Sequence, residues 1–168
     1  GSATYDSDAA ARGTKIDGLG DDDSAQWALP FAFPYFGASY DRVFINSDGN
    51  LTFGRAESAS LERSLGRMTS GPPRICGLFR DLDPSRSAKG VLVLSEAGRF
   101  VVSWAEVPEY AEFGTGALQT FQIRLFPDGR IEFAYGSITT SEAVVGISPG
   151  DLKGPTEVVS FVMGSSQE

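Results

Sequence analysis

The chain has 168 residues, a length typical of one domain rather than two. Its 22 acidic and 14 basic residues give a formal net charge of −8, which disfavours nucleic acid, itself a polyanion, as a ligand. The sequence has no histidine and a single cysteine, which excludes Ser-His-Asp and Cys-His catalysis, histidine-ligated zinc and an intrachain disulfide. No apolar run is long enough to span a bilayer, so we expect no membrane insertion by this segment.

Residues 1–25 differ in composition from the rest of the chain. They are small and acidic, they open with Gly1-Ser2, which resembles a cloning scar, and they include the run Asp21-Asp22-Asp23. We therefore predict an irregular acidic lead-in over residues 1–25 and a single folded domain over residues 26–168. The aspartate run is interpreted as a solvated stretch, with cation binding as the less favoured alternative.

Strand signals begin at residue 27. The segment from Trp27 to Phe36 is densely aromatic and contains Pro30 and Pro34, which block a helix but are tolerated in an edge strand. Three hairpins are then predicted over residues 43–53, 91–104 and 120–135, because each has two β-rich runs joined by a glycine-containing turn.

The third hairpin alternates apolar and polar residues, which predicts one buried face and one face in water. The predicted buried face carries Phe121, Ile123, Leu125, Ile131, Phe133 and Tyr135, and the predicted wet face carries Thr120, Gln122 and Arg124.

The remaining elements complete an all-β pattern. Further strands are predicted at residues 74–79, 143–147 and 157–163, and one short helix at residues 61–65, capped within residues 58–60 and closed by Gly66. About nine or ten short strands with at most one short helix predict an antiparallel β-sandwich or a partly open barrel. Trp104 and Cys76 lie in apolar strands, so both are predicted to be core residues, with an inert thiol.

Two aspartates follow the predicted strand that ends at Phe79. In an extended chain Asp81 and Asp83 face the same side, so with loop carbonyls they could hold Ca²⁺. The favoured alternative is turn chemistry, in which an aspartate that ends a strand accepts a hydrogen bond from a backbone amide or from Arg80. No cofactor is required, and Ca²⁺ is the one candidate.

A glycine-rich loop at residues 107–116 interleaves acidic and aromatic residues. Glu109, Tyr110, Glu112 and Phe113 form the candidate ligand-binding set, because aromatic rings on a loop can stack on sugar rings. The favoured alternative is that Tyr110 and Phe113 pack over a sheet edge.

Several of these segments stand in a characteristic order. They are Phe31 to Gly37 (FAFPYFG), Tyr40 to Gly54 (YDRVFINSDGNLTFG), Ile75 to Pro84 (ICGLFRDLDP), Phe100 to Trp104 (FVVSW), Thr120 to Gln122 (TFQ) and Asp128 to Tyr135 (DGRIEFAY). Over residues 26–150 this order resembles the nidogen-like (NIDO-type) domain and its bacterial relatives. The resemblance implies a module of a large secreted or surface protein, associated with matrix contact and adhesion, and it implies no catalytic residue.

From the residues and the resemblance together we expect a non-enzymatic extracellular or cell-surface module of a larger secreted bacterial protein. We expect it to act in adhesion, in matrix contact or as a structural spacer, with an unidentified protein or glycan as its partner and as a monomer when isolated. The alternative is a carbohydrate-binding module that uses Tyr110 and Phe113. A glycosidase acting through Asp81 is the most remote possibility.

Overall fold

The computed structural model describes residues 3–59 and 62–151 of the chain. Within this part the secondary structure is mostly strand, with two short α-helices and a 3-10 helix at Pro84–Arg86. The strands are β1 (Ala3–Thr4), β2 (Thr14–Lys15), β3 (Ser24–Tyr35), β4 (Ala38–Asn46), β5 (Asn50–Thr52), β6 (Arg74–Phe79), β7 (Gly90–Glu96), β8 (Arg99–Pro108), β9 (Leu118–Leu125), β10 (Ile131–Tyr135) and β11 (Val144–Ser148). The helices are α1 (Ser7–Arg12) and α2 (Leu65–Thr69).

Two sheets pack into a β-sandwich. Sheet A has the order β1-β10-β9-β8-β7-β2 and sheet B the order β11-β6-β5-β4-β3, and neighbours are antiparallel except for the parallel pair β1 and β10. Side chains of both sheets share one buried core, in which Trp104 stacks on Phe121 with ring centroids 4.8 Å apart. The predicted β-sandwich is confirmed, with eleven strands among the described residues.

The three predicted hairpins are confirmed as β4–β5, β7–β8 and β9–β10. In the first turn Gly49 has a φ of +73°, and a Cβ atom there would lie 2.1 Å from the carbonyl oxygen of Leu78. This close approach requires glycine, and it lets the Gly49 carbonyl oxygen accept from the N–H groups of Gly77 and Leu78 at 3.1 Å. The β4–β5 turn is thereby held against the end of β6.

Three other predicted strands can be compared with the sheets. The aromatic segment with its two prolines is β3, at the edge of sheet B, as predicted. Strands β6 and β11 confirm the predictions at residues 74–79 and 143–147. The strand predicted at residues 157–163 lies outside the described residues.

The N-terminal segment is folded, contrary to the predicted irregular lead-in. Asp6 caps α1, since its Oδ1 accepts from the N–H of Ala9 at 2.9 Å. Its main chain exchanges two hydrogen bonds, 3.0 and 2.7 Å long, with the side chain of Gln122. The predicted wet face of the third hairpin is therefore wrong, because this segment covers Gln122 and Arg124 and both are buried. Arg124 also donates to the carbonyl oxygen of Thr4.

The predicted short helix is displaced along the chain. Residues 60 and 61 lie outside the described part, and α2 begins after Ser64, whose hydroxyl accepts from the N–H of Arg67 at 3.2 Å. Gly66, predicted to close the helix, lies inside α2. The physical reason is packing, because this later register buries Met68 against Cys76 and Phe79 of β6. The predicted burial of Cys76 and of Trp104 is confirmed.

Candidate functional site

Four aspartates from three separate segments converge beside the end of β6. Asp21 and Asp22 precede β3, Asp48 lies in the β4–β5 turn, and Asp81 follows β6. One carboxylate oxygen of each lies within 4.8 Å of those of the other three. Strand pairing brings Asp48 to Asp81, since β5 pairs with β6 and the N–H of Leu82 donates to Asp48 Oδ1 at 3.1 Å. The segment of Asp21 and Asp22 is held beside Asp48 because Asp23 and Ser47 exchange two hydrogen bonds, 2.9 and 3.0 Å long. We call these four residues the aspartate cluster.

Arg63 supplies the aspartate cluster with a positive charge. Its Nη2 lies 2.6 Å from Asp48 Oδ2 and 3.2 Å from Asp81 Oδ1, and it also contacts Asp22 Oδ1. A guanidinium can bridge several carboxylates because its N–H donors form a planar fork. Among the described residues Arg63 is the one cation paired with these four carboxylates, so their net charge is negative.

The carboxylate pKa values reflect this incomplete compensation. Burial, followed by the charges of Asp22 and Asp81, raises the pKa of Asp21 to about 6. Burial also raises the pKa of Asp48 to about 6, against the opposing effect of Arg63, and it raises the pKa of Asp81. The Oδ1 atoms of Asp21 and Asp81 are buried and have no hydrogen-bond partner among the described residues, but Asp81 Oδ1 lies 3.2 Å from Arg63 Nη2, whereas no ion pair to Asp21 is present there. Asp21 is therefore the member whose charge is least compensated.

Asp83 does not belong to the aspartate cluster. Its carboxylate accepts from the N–H of Ser85 at 3.1 Å and pairs with Arg86 Nε at 3.4 Å, so that it caps the 3-10 helix. The predicted Ca²⁺ pair is thus divided: Asp83 has the turn role, whereas Asp81 joins three other aspartates. The run at residues 21–23, interpreted as solvated, supplies two of these, and no sequence pattern pointed to Arg63.

The second candidate site is the loop at residues 109–117, which joins β8 to β9 and which we call the finger. Its ends meet because the N–H of Glu109 donates to the carbonyl oxygen of Ala117 at 2.9 Å. A Cβ atom on Gly116 would lie 2.0 Å from the carbonyl oxygen of Glu109, so this closure requires glycine. Arg86 Nη1 donates to two carbonyl oxygens of the finger, at 3.0 and 2.9 Å. These bonds fix the backbone of the loop.

The finger holds two aromatic rings in solvent. Phe113 is 87% exposed and Tyr110 is 47% exposed, so the prediction that both pack over a sheet edge is wrong. The loop is held through its backbone, which leaves Phe113 almost uncovered and Tyr110 about half exposed. Of the two glutamates in the candidate set, Glu112 is exposed, whereas Glu109 pairs with Arg80 at 2.9 Å.

The finger and the aspartate cluster are joined through residues 81–86. The N–H of Tyr110 donates to the carbonyl oxygen of Asp81 at 2.8 Å, while the carboxylate of Asp81 belongs to the cluster. Arg86, at the other end of this segment, holds the middle of the finger. The exposed rings and the net negative charge therefore lie on adjoining parts of the surface.

The two sheets form a β-sandwich, and the exposed rings of the finger lie on a loop between two of its strands. These features place the chain in the class of β-sandwich modules. The chain belongs to the NIDO-related family, which it matches over residues 1–166. The predicted nidogen-like resemblance is thereby confirmed, and membership supports an extracellular-type, non-catalytic module. Comparison with curated proteins and with solved structures gave no match. Within residues 3–59 and 62–151, no helix has the length and apolar character needed to cross a membrane.

Proposed function

We propose that this domain is a non-enzymatic module of a larger secreted or cell-surface protein, and that it acts in adhesion through the finger. The observation that carries the proposal is Phe113, 87% exposed on a loop whose backbone is fixed by hydrogen bonds. Full burial of such a side chain contributes about 1.5–3 kcal/mol relative to its exposure. A loop that is already ordered loses little conformational entropy on binding, so most of this gain goes into affinity.

Binding to immobilised proteins tests the proposal. Beads coated with the domain are passed over a panel of purified matrix and cell-surface proteins, using wild type, Phe113→Ala and Phe36→Ala. Phe36 is 41% exposed and lies outside the finger, so it is a matched control. We expect wild type and Phe36→Ala to bind at least one protein and Phe113→Ala to lose that binding. Absence of binding by wild type would instead support a structural spacer.

A carbohydrate-binding module is the second candidate, and the exposure of two rings in one loop favours it. Aromatic rings stack on the apolar faces of sugars, and the exposed carboxylate of Glu112 can accept hydrogen bonds from hydroxyl groups. A glycan array probed with wild type and Tyr110→Ala separates the two candidates. Glycan binding that disappears in Tyr110→Ala supports the carbohydrate function, whereas protein binding without glycan binding supports adhesion.

The proposal assigns no catalytic step to the carboxylates. A glycosidase places two carboxyl groups about 5 to 9.5 Å apart, on either side of the bond that breaks. Here Asp81 shares Arg63 with Asp22 and Asp48, and all lie within 4.8 Å of one another at their nearest oxygens. A hydrolysis rate above background that Asp81→Asn abolishes would contradict this assignment.

For the aspartate cluster we propose that Arg63 is the counter-charge and that Ca²⁺ is not required. Ca²⁺ takes six to eight oxygen ligands, and here the guanidinium lies 2.6 Å from Asp48 and 3.2 Å from Asp81, so the ion would have to displace it. Wild-type melting curves in EDTA and in millimolar CaCl₂ are expected to superimpose. A site on Asp81 would instead stabilise the fold by about 2.7 kcal/mol at a hundredfold excess of Ca²⁺ over Kd.

A further inference from the structure

The surface around the finger is acidic beyond what its ion pairs compensate. Residues 105–119 include three glutamates and no basic residue. Glu106 pairs with Lys89 at 3.0 Å and Glu109 with Arg80 at 2.9 Å, whereas no ion pair to Glu112 is present among the described residues. The tip of the finger therefore combines an exposed ring with a carboxylate that forms no ion pair among the described residues.

The adjoining aspartate cluster adds to this negative charge and can be reached from solvent. The side chains of Asp22 and Asp81 are 26% and 37% exposed. The seating of Arg63 between them shows that a guanidinium fits the geometry of these carboxylates. With one guanidinium for four carboxylates, the cluster attracts a further cationic group.

From this arrangement we propose that the partner of the finger is a protein surface with an apolar pocket for Phe113, bordered by Lys or Arg side chains that pair with Glu112, Asp22 and Asp81. The inference rests on the proposed function, since it takes the finger to be the contact site. A protein partner is favoured over a glycan because charge complementarity contributes to specificity and association rate. A neutral sugar gains nothing from the negative field, and an acidic sugar is repelled by it.

Peptide selection tests the chemistry of the partner. Short random peptides displayed on phage are selected on the wild-type domain at low salt, and the enriched peptides are synthesised and titrated. We expect Lys or Arg beside aromatic or aliphatic residues in these peptides. Their affinity should fall about thirtyfold in Phe113→Ala, as for an interface hot spot. It should fall severalfold in Glu112→Gln or on addition of salt, because exposed charges are screened.

Matched variants keep the test specific. Phe36→Ala removes another exposed ring and Asp41→Asn removes an exposed carboxylate outside this surface, and neither should change peptide affinity. Melting curves of each variant confirm that it is folded. Enrichment of peptides without basic residues, failure to enrich any peptide, or affinity that survives Phe113→Ala would overturn the inference.

A glycan array probed with the same variants separates failure of the inference from failure of the proposed function. One outcome is glycan binding that requires Phe113, together with no binding of peptides. This outcome would support the finger as a contact site and would reject a basic protein partner. Protein-panel binding that needs Phe113 but is insensitive to salt and to Glu112→Gln would likewise reject only the partner chemistry. Absence of binding to peptides, proteins and glycans would reject both.

Discussion

Asp21→Asn is expected to stabilise the domain at neutral pH, although Asp21 belongs to a candidate site. Burial and the neighbouring carboxylates raise the pKa of Asp21 from 3.8 to about 6, so its charged form is disfavoured in the fold. At neutral pH such a change in pKa lowers the free energy of unfolding by at most roughly 3 kcal/mol. Because Asp21 is only partly buried, solvent screening reduces the expected gain to about 1 kcal/mol. For a domain of this size that raises Tm by about 2–4 °C.

The same raised pKa determines how stability changes with pH. Between the unfolded pKa of 3.8 and the folded pKa of about 6, the folded chain holds more protons at Asp21 than the unfolded chain. The contribution of Asp21 to stability is therefore fully present below the unfolded pKa and is lost as pH rises through the folded pKa. In Asp21→Asn this loss between acidic and neutral pH should be smaller than in wild type.

Urea unfolding in EDTA, at pH values below and above 6, measures both effects. Asp17→Asn is the control, because it makes the same charge change at an exposed position. Asp22→Asn is the contrasting variant, since Asp22 contacts Arg63 and its loss should lower stability. If Asp21→Asn at neutral pH is no more stable than Asp17→Asn, the assignment of Asp21 as the least compensated carboxylate is wrong.

Three further changes test the core, the thiol and the N-terminal segment. Phe121→Ala should lower the free energy of unfolding by about 3–5 kcal/mol, because Phe121 is fully buried against Trp104, and a loss below about 1 kcal/mol in urea would contradict this. Cys76, whose pKa burial raises to about 12, should react with an aqueous thiol reagent only after unfolding, and rapid labelling of the native protein would show that the sulfur is accessible. Asp6→Ala removes the cap of α1 and the 2.9 Å ion pair with Arg99, so thermal melts should show a loss of about 1 kcal/mol, whereas an unchanged Tm would mean that α1 does not support the fold.

Local chemistry explains which elements the sequence could predict. The hairpins depend on turns such as that at Gly49, where neighbouring residues determine the backbone, and all three were predicted. Burial of Gln122 depends instead on Asp6, which is 116 positions away in the chain. The alternation of apolar and polar residues in the third hairpin therefore distinguishes its two faces but does not show that both are covered. The position of α2 depends on where Met68 finds its partners in β6, and a capping pattern does not contain that information.

In the candidate site, too, the sequence predicts what neighbouring residues determine and not what distant residues determine. The aromatic residues of the finger stand together in sequence and were predicted as a set, although their exposure required the structure. The aspartate cluster joins three segments around Arg63, which lies within the helix predicted at residues 61–65 and was given no functional role there. Asp81 was identified because it ends a strand, but its partners are determined by the pairing of β5 with β6.

Residues 3–15 affect how the domain can associate with other copies of itself. Strands β1 and β2 are the outermost strands of sheet A, one on each side, so a single short stretch of chain covers two residues of β10 at one lateral edge and two residues of β7 at the other. An uncovered strand edge is a template for pairing with another chain. Proteolytic loss of this stretch would uncover β10 and β7 together, and would also expose the buried amide of Gln122. A domain that has lost this stretch could then pair with a neighbour on each side, which is the minimum needed for open-ended polymerisation.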